Sequence, residues 1–298
     1  EKDIIEAFRD PDVLLGLKTK VSKERIGIEL RSMLQHPNAF KSIEYFRTYK
    51  MLPYIFEVPA NCPELFDNAK LLDELAERSY EICETFHKAV GDGISYFGFN
   101  VAALENSEKE LRLLSYLIHL VSVYKGYNCE LKNKKKESLV ASIVRESIKF
   151  TNKESEISSN CINAYSHFQN LSDEVPTGKN IDLDVAKVIR ELGSIWEHSF
   201  NLAISYELLN KKESPDAIIE KYRKLHKYIH DRNLSQVYKL KPLLDGADVM
   251  KILELKSGGP IIKKVIDKLL EIQIENPKTT KEALIEMLTK EKDAFLNQ

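Results

Sequence analysis

The stretch Asp182-Leu183-Asp184-Val185-Ala186-Lys187-Val188-Ile189-Arg190-Glu191-Leu192 runs on into Gly193-Ser194-Ile195-Trp196. Its apolar positions Val185, Val188, Ile189, Leu192, Ile195 and Trp196 recur three and four apart, which is the spacing of one face of a helix with a polar face behind it. The same rhythm recurs in Ile26, Leu30, Met33 and Leu34, and again in Leu139, Val140, Ile143, Val144 and Ile148. No series of alternating apolar segments accompanies it, and Ile94 to Phe99 is the only plausible strand and could equally be a loop. The expected fold is all-α, a multi-helix body followed by a helical tail.

Composition agrees with that reading. Among 298 residues 43% are hydrophobic and 30% charged, with 11 Gly and 10 Pro, few for a chain rich in turns and strands. Breakers at Pro37, Pro53 to Pro63, Gly91 to Gly93 and Pro176 to Gly178 divide the helices. The polar stretch Asn152 to Ser159 reads as a linker or a helix start. A domain change is expected near residue 235, where Lys239, Lys241 and Pro242 follow the helical pattern of Ile218, Ile219, Tyr222, Leu225 and Ile229.

No apolar run approaches the roughly 18 residues that cross a bilayer, so no membrane partner is expected. The sequence starts at Glu1 rather than Met and reads as a piece whose own N-terminus and any targeting signal lie elsewhere. Cys62, Cys83, Cys129 and Cys161 lack Cys-x-x-Cys spacing and read as reduced, partly buried thiols.

The net charge of -2 conceals an asymmetry. Between 221 and 268, 12 Lys and Arg face 5 Asp and Glu, a local excess able to attract phosphate in an otherwise acidic chain. The same region is the most legible. Asp245 and Gly246 suit the start of a short helix, Ser257-Gly258-Gly259-Pro260 breaks it, and a second helix is expected from about Pro260, burying Ile261, Val265, Ile266, Leu269 and Leu270. A third follows Pro277, with Thr279 and Glu282 spaced as a capping box. The glycine turn lets a backbone approach without Cβ clashes and presents the free N-H groups of the next helix, with Lys256, Lys263 and Lys264 around it. Either a phosphate grip or an ordinary helix corner with solvated lysines satisfies these residues.

Other constellations carry less. Lys134, Lys135 and Lys136 precede the helix of Leu139 to Ile148, placing cations at its positive end. Asp182 and Asp184 have the spacing of a two-metal carboxylate pair but stand where a helix start favours acids, and read as a cap. His226 and His230 share a helix face without a third ligand, and no nucleophile elbow, P-loop or dinucleotide fingerprint is present. Ser22 suits an N-cap with Glu24 in the first turn. Arg25 and Glu29 lie four apart in the weaker basic-first order, and are expected to bridge to another element.

Through Ser22-Lys23-Glu24-Arg25-Ile26-Gly27-Ile28-Glu29-Leu30, through Lys134 to Lys149, and through Lys241-Pro242-Leu243-Leu244-Asp245-Gly246 to Thr280, the sequence resembles the class II tRNA nucleotidyltransferases, the CCA-adding enzymes, in their eukaryotic, fungal-like branch. Where that family usually shows Lys-Pro-Gly-Pro, this chain has Lys256-Ser257-Gly258-Gly259-Pro260. The resemblance implies a neck remnant over 1–50, a helical body over 51–235 and a tRNA-binding helical tail over 236–298. The catalytic head, with its metal-binding carboxylates and base-selecting motif, has no counterpart in this stretch.

It further implies an enzyme that adds CCA to tRNA 3′ ends from CTP and ATP with Mg²⁺, of which this portion alone is inactive and holds no metal. The implied partners are tRNA and the missing head. The implied setting is intracellular, in cytoplasm, nucleus and mitochondrion. Ser22, Glu24, Arg25 and Glu29 fall on the motif that braces the neck. The expected tRNA contacts are Lys134, Lys135, Lys136, Lys239, Lys241, Gly246, Lys256, Gly258, Gly259, Lys263 and Lys264. A helical protein-interaction scaffold and the C-terminal part of a poly(A) polymerase are the alternatives.

Overall fold

A computed structural model describes residues 7, 8, 10–90, 108–131, 135–210, 212–255, 257 and 259–292. The breaker Gly91 to Gly93, the strand expected at Ile94 to Phe99, and Lys134, Lys256 and Gly258 lie outside them.

The fold is helical. In order come α1 (Pro11–Thr19), α2 (Lys23–Gln35), α3 (Ala39–Thr48), α4 (Leu52–Ile55), α5 (Ala69–Val90) and α6 (Glu108–Val121). A hairpin of β1 (Asn128–Glu130) and β2 (Lys136–Ser138) precedes α7 (Leu139–Ser142), which continues into one π-helical turn over Ile143–Ser147. Then follow α8 (Asn152–Glu174), α9 (Asp182–Leu192), α10 (Trp196–Asn210), α11 (Pro215–Asp231), α12 (Gly246–Leu253), α13 (Pro260–Glu275) and α14 (Lys281–Lys290). The hairpin corrects the expectation that strand structure would be confined to Ile94 to Phe99. Its strands, Asn-Cys-Glu and Lys-Glu-Ser, are too short and polar to leave a period-two signal.

The described chain forms two compact units. One comprises 1–173 with 195–226, the other 174–194 with 227–298. In the first, α5 packs on α3, α6 and α10, and α6 also packs on α2. Every residue from Leu111 to Val121 is buried, so α6 is enclosed on all sides, its polar face included. Most of its polar atoms find partners: Arg112 donates to the Gln35 carbonyl at 2.8 Å, and His119 lies between the Ser115 carbonyl at 2.7 Å and Ser205 Oγ at 3.1 Å.

Asn152 to Ser159 is the first part of α8, not a linker. Its start is fixed by a reciprocal pair in which Glu154 N donates to Thr151 Oγ1 and Thr151 N donates to the Glu154 carboxylate. In the second unit α9 packs on α13 and on the 3-10 turn Val237–Lys239. Leu244, Val249, Leu253, Val265, Leu269, Leu284 and Leu288 form a shared core for α12, α13 and α14. Gly193 ends α9 at φ 64°, a conformation that favours glycine.

Candidate nucleic-acid interface

The C-terminal helices form largely as the sequence predicts. Asp245 caps α12, accepting from Ala247 N and Asp248 N at 2.9 Å, while Asp245 N donates to the Asp248 carboxylate. Helix α13 begins at Pro260, burying Val265, Leu269 and Leu270, with Ile261 and Ile266 partly buried against the same core. The third cap is displaced by one residue. Thr280, not Thr279, is extended and accepts from Ala283 N at 3.2 Å, whereas the Thr279 hydroxyl donates to the Asn276 carbonyl. The residue three beyond Thr280 is Ala283, so no box can form.

The first turn of α13 contains no acid, unlike those of α9 and α12. Lys263 and Lys264 project from it into solvent. A Cβ placed on Gly246 would meet Ile262 Cγ2 at 3.5 Å, ordinary contact, so the starts of α12 and α13 pack together and Gly246 lies beside the lysine-bearing turn. Gly259 is the extended residue before Pro260, with open space where a Cβ would stand.

Two residues that the sequence did not single out position the neighbouring lysines. Arg190 Nη1 donates to the carbonyls of Val237 and Leu240, both at 3.0 Å. Buried Gln273 accepts from Leu243 N at 3.0 Å and donates to the Lys241 carbonyl at 3.3 Å. Together they fix the backbone on either side of Lys239 and Lys241, whose side chains are exposed. The available signal for Gln273 was its place within the apolar face of Leu269, Leu270 and Ile274: a polar residue there must find a buried partner.

In the first unit, Lys135 and Lys136 belong to the hairpin and not to the positive end of a helix. Lys136 pairs across the ladder with Glu130, and α7 starts only at Leu139. The Lys135 carbonyl accepts from Leu131 N at 2.9 Å. Arg145 grips Glu137 in two bonds of 2.8 and 2.9 Å, and that carboxylate holds the guanidinium charge more firmly than usual.

Around α2 the structure separates framework from display. Ser22 caps the helix, accepting from Arg25 N at 3.4 Å. Gly27 is buried because α2 meets the end of the π turn, where a Cβ would come within 2.1 Å of the Ile148 carbonyl oxygen. Glu24, Arg25 and Glu29 are exposed, and neither Arg25 nor Glu29 forms an ion pair with a described residue. The expected bridging is performed by their neighbours. Lys23 and Lys18 both reach Glu57 at 2.9 Å, and Arg31 reaches buried Glu154 at 2.7 Å. Arg25 and Glu29 instead line an open groove of about 520 Å³ with Val21, Ile28 and Met33.

No group of three or more His, Cys, Asp or Glu suited to a metal occurs among the described residues. Asp182 is not the cap of α9. It is the first helical residue, buried, accepting from the Tyr228 hydroxyl at 2.6 Å and lying 3.5 Å from Arg232. Asp184 is exposed, 3.9 Å from Lys179. A carboxylate committed to a tyrosine does not fit a magnesium site, and no step is assigned to one. His226 lies against the rings of Trp196 and Phe200, whereas His230 is exposed. No described helix is long and apolar enough to cross a membrane.

No known protein-family profile matches the chain. Individual proteins do. Two tRNA nucleotidyltransferases of Schizosaccharomyces pombe are 23% identical over 301 residues and 24% identical over 290, covering 96% and 97% of the chain. The mitochondrial CCA tRNA nucleotidyltransferase of Candida glabrata is 24% identical over 304 residues, covering 97%. The chain spans 56 to 57% of the length of these relatives. Over nearly all of its own length, then, this chain is similar to a little more than half of a fungal tRNA nucleotidyltransferase.

Proposed function

We propose that this chain is the tRNA-holding portion of a CCA-adding tRNA nucleotidyltransferase. In this reading residues 1–50 are the end of a neck, 51–235 a body and 236–298 a tail that grips RNA. The observation that carries it is the set Lys239, Lys241, Lys263 and Lys264, exposed on backbone that Arg190, Gln273 and the α12–α14 core hold in place. Lys135 and Lys136 would add contacts from the hairpin, Lys134 would add another, and Gly246, Lys256, Gly258 and Gly259 would bring the backbone close to phosphate.

Cations fixed at helix starts neutralise backbone phosphates without reading bases. That suits an enzyme acting on every tRNA, since double-helical RNA displays shape more than sequence. Magnesium, ATP and CTP would be handled by a catalytic portion that this chain does not itself provide. The groove beside Ser22, Glu24, Arg25 and Glu29 is where that portion would dock: Val21, Ile28 and Met33 are exposed apolar residues, and Arg25 and Glu29 offer one charge of each sign. The setting would be intracellular, and two of the relatives are named as mitochondrial.

The test is tRNA binding measured over a range of salt. Affinity should fall steeply with salt, and the double change Lys263→Glu with Lys264→Glu should weaken it at least tenfold while reducing the salt slope by about two. Salt-insensitive binding, or CCA addition by this chain alone, would overturn the proposal. The same exposed groove favours one second reading, a scaffold for a protein partner. In that case replacing Ile28 would abolish the complex while the lysine changes would have no effect.

A further inference from the structure

The end of α3 and the start of α5 border an open groove with two connected parts. One encloses about 550 Å³ and is walled by Phe8, Tyr49 and Tyr54, and the other, of about 310 Å³, runs on past Phe46 and Ala76. Thr48, Lys50, Pro53 and Asp73 line both, so the two form one channel, suited to a stretched chain more than to a compact ligand. A row of rings follows it. Phe8 and Tyr49 lie 5.5 Å apart at 31°, and Tyr49 continues into Tyr45 at 6.2 Å.

The polar groups of this lining are mostly donors. Tyr49 and Tyr54 are half-buried, and their hydroxyls have no partner among the described residues. Lys50 and Asp73 are exposed, and neither forms an ion pair with a described residue, including the other. The remaining charges are committed: Arg47 holds Glu77 in two bonds and covers the Tyr80 ring at 4.4 Å. Two hydroxyls and an ammonium are thus left to donate, with Asp73 the one uncommitted carboxylate of the described lining.

We infer that this groove binds a proline-rich segment of a partner protein, its prolines packed along the tyrosine rings, its carbonyls on the Tyr49 and Tyr54 hydroxyls and Lys50, and a flanking Arg or Lys on Asp73. Proline has no N-H, so such a segment brings acceptors to satisfy and few donors to strand. A helical segment keeps its carbonyls to itself and would leave these donors unused. The polyproline II form is also extended before it binds, so little order is lost on docking in an aromatic-lined groove. The inference rests on this lining alone and stands independently of the lysines of α13.

Fluorescence anisotropy of a dye-labelled peptide tests it. The chain is titrated into a capped peptide of repeated Pro-Pro-Ala units ending in Arg, and into the same peptide ending in Glu. Saturable binding is expected, tighter for the Arg peptide. Tyr49→Leu removes a ring and a donor and should weaken it about tenfold or more. Asp73→Lys should reverse the preference, so that the Glu peptide binds the more tightly.

Lys50→Gly guards against misreading a folding defect. Lys50 stands at φ 52°, which glycine adopts freely, so this variant should keep its melting temperature while binding both peptides severalfold more weakly. Lys263→Glu with Lys264→Glu should leave peptide binding unchanged. Absence of saturable binding, undiminished binding by Tyr49→Leu, or an end preference that Asp73→Lys does not move would overturn the inference whatever the outcome for tRNA. So would a groove that takes single-stranded RNA and not the peptide.

Discussion

Arg31 and Glu154 are 123 residues apart in sequence and form an ion pair of 2.7 Å. The Glu154 carboxylate also accepts from Thr151 N and Thr151 Oγ1, so one buried acid closes the start of α8 and ties it to α2. Arg31 stays one-third exposed and covers the Phe150 ring at 4.4 Å, which keeps part of its charge in water.

Removing either partner should therefore have unequal effects. Glu154→Ala loses the cap and leaves a guanidinium without its acid, and should cost about 2–4 kcal/mol in urea unfolding. Arg31→Met should cost less, about 1–2 kcal/mol, because the Glu154 carboxylate keeps its bonds from Thr151 N and Thr151 Oγ1. A double-mutant cycle showing no coupling would mean that the pair contributes nothing beyond its separate parts.

Gly27 gives a change of opposite sign to helix propensity. Within a helix, Gly→Ala ordinarily gains about 1 kcal/mol. Here the added Cβ would lie 2.1 Å from the Ile148 carbonyl oxygen, backbone that cannot swing aside. Gly27→Ala should destabilise by about 1–3 kcal/mol as α2 is pushed off the π turn. An unchanged or raised melting temperature would contradict this packing.

Acid should weaken the first unit through its core histidines. Burial lowers His119 to about 4 and His198 to about 3, so the folded state excludes protons that the unfolded chain accepts below about 6.5. Stability is thus lost as pH falls from about 6.5 toward 4, at up to ~1.4 kcal/mol per pH unit for each histidine. Glu197, raised to about 7 by burial, takes up a proton on the folded side and offsets one of them between about 7 and 4.5. His198→Gln should flatten the acid limb, measured by urea midpoints at pH 7.5, 6 and 5. An equally steep limb in that variant would assign the loss elsewhere.

The lysine-bearing backbone of the second unit should depend on its polar anchors. Gln273→Leu strands Leu243 N and the Lys241 carbonyl, and should cost about 1–2 kcal/mol. Under the proposed function it should also weaken tRNA binding without altering the salt slope, since no charge is removed. A changed slope would place Gln273 among the contacts rather than behind them.

The cap of α14 distinguishes adjacent threonines. Thr280→Ala should cost about 1 kcal/mol, and Thr279→Ala a few tenths. Thermal melts of the two variants decide between them.

Helices were legible wherever one face is apolar. The stripe from Val185 to Leu192 and the core residues Val265, Leu269 and Leu270 follow directly from spacing. The complete burial of α6 was not, because Arg112, Ser115 and His119 give it a polar face by spacing, and the structure buries that face as well. The hairpin escaped because three-residue strands are held by backbone bonds rather than side-chain pattern.

The exposed lysines were readable from charge alone, but Arg190 and Gln273 act on backbone carbonyls and amides distant in sequence, which no local pattern encodes. The basic-first order of Arg25 and Glu29 makes a weak local pair and so points to a bridge to another element. Exposure instead leaves both side chains on the rim of a groove, and Lys23 and Arg31 make the ties.

Cys62, Cys83, Cys129 and Cys161 are all buried and free, and burial raises each thiol, Cys62 to about 11. Near pH 7 they present almost no thiolate to a reagent. The native surface is therefore silent toward maleimides, and a single cysteine introduced at Lys263 or Tyr45 would be the sole chemical handle on the molecule. Crosslinkers or dyes attached there would report on the lysine-bearing start of α13 or on the end of α3 one at a time, with no need to remove a native cysteine first.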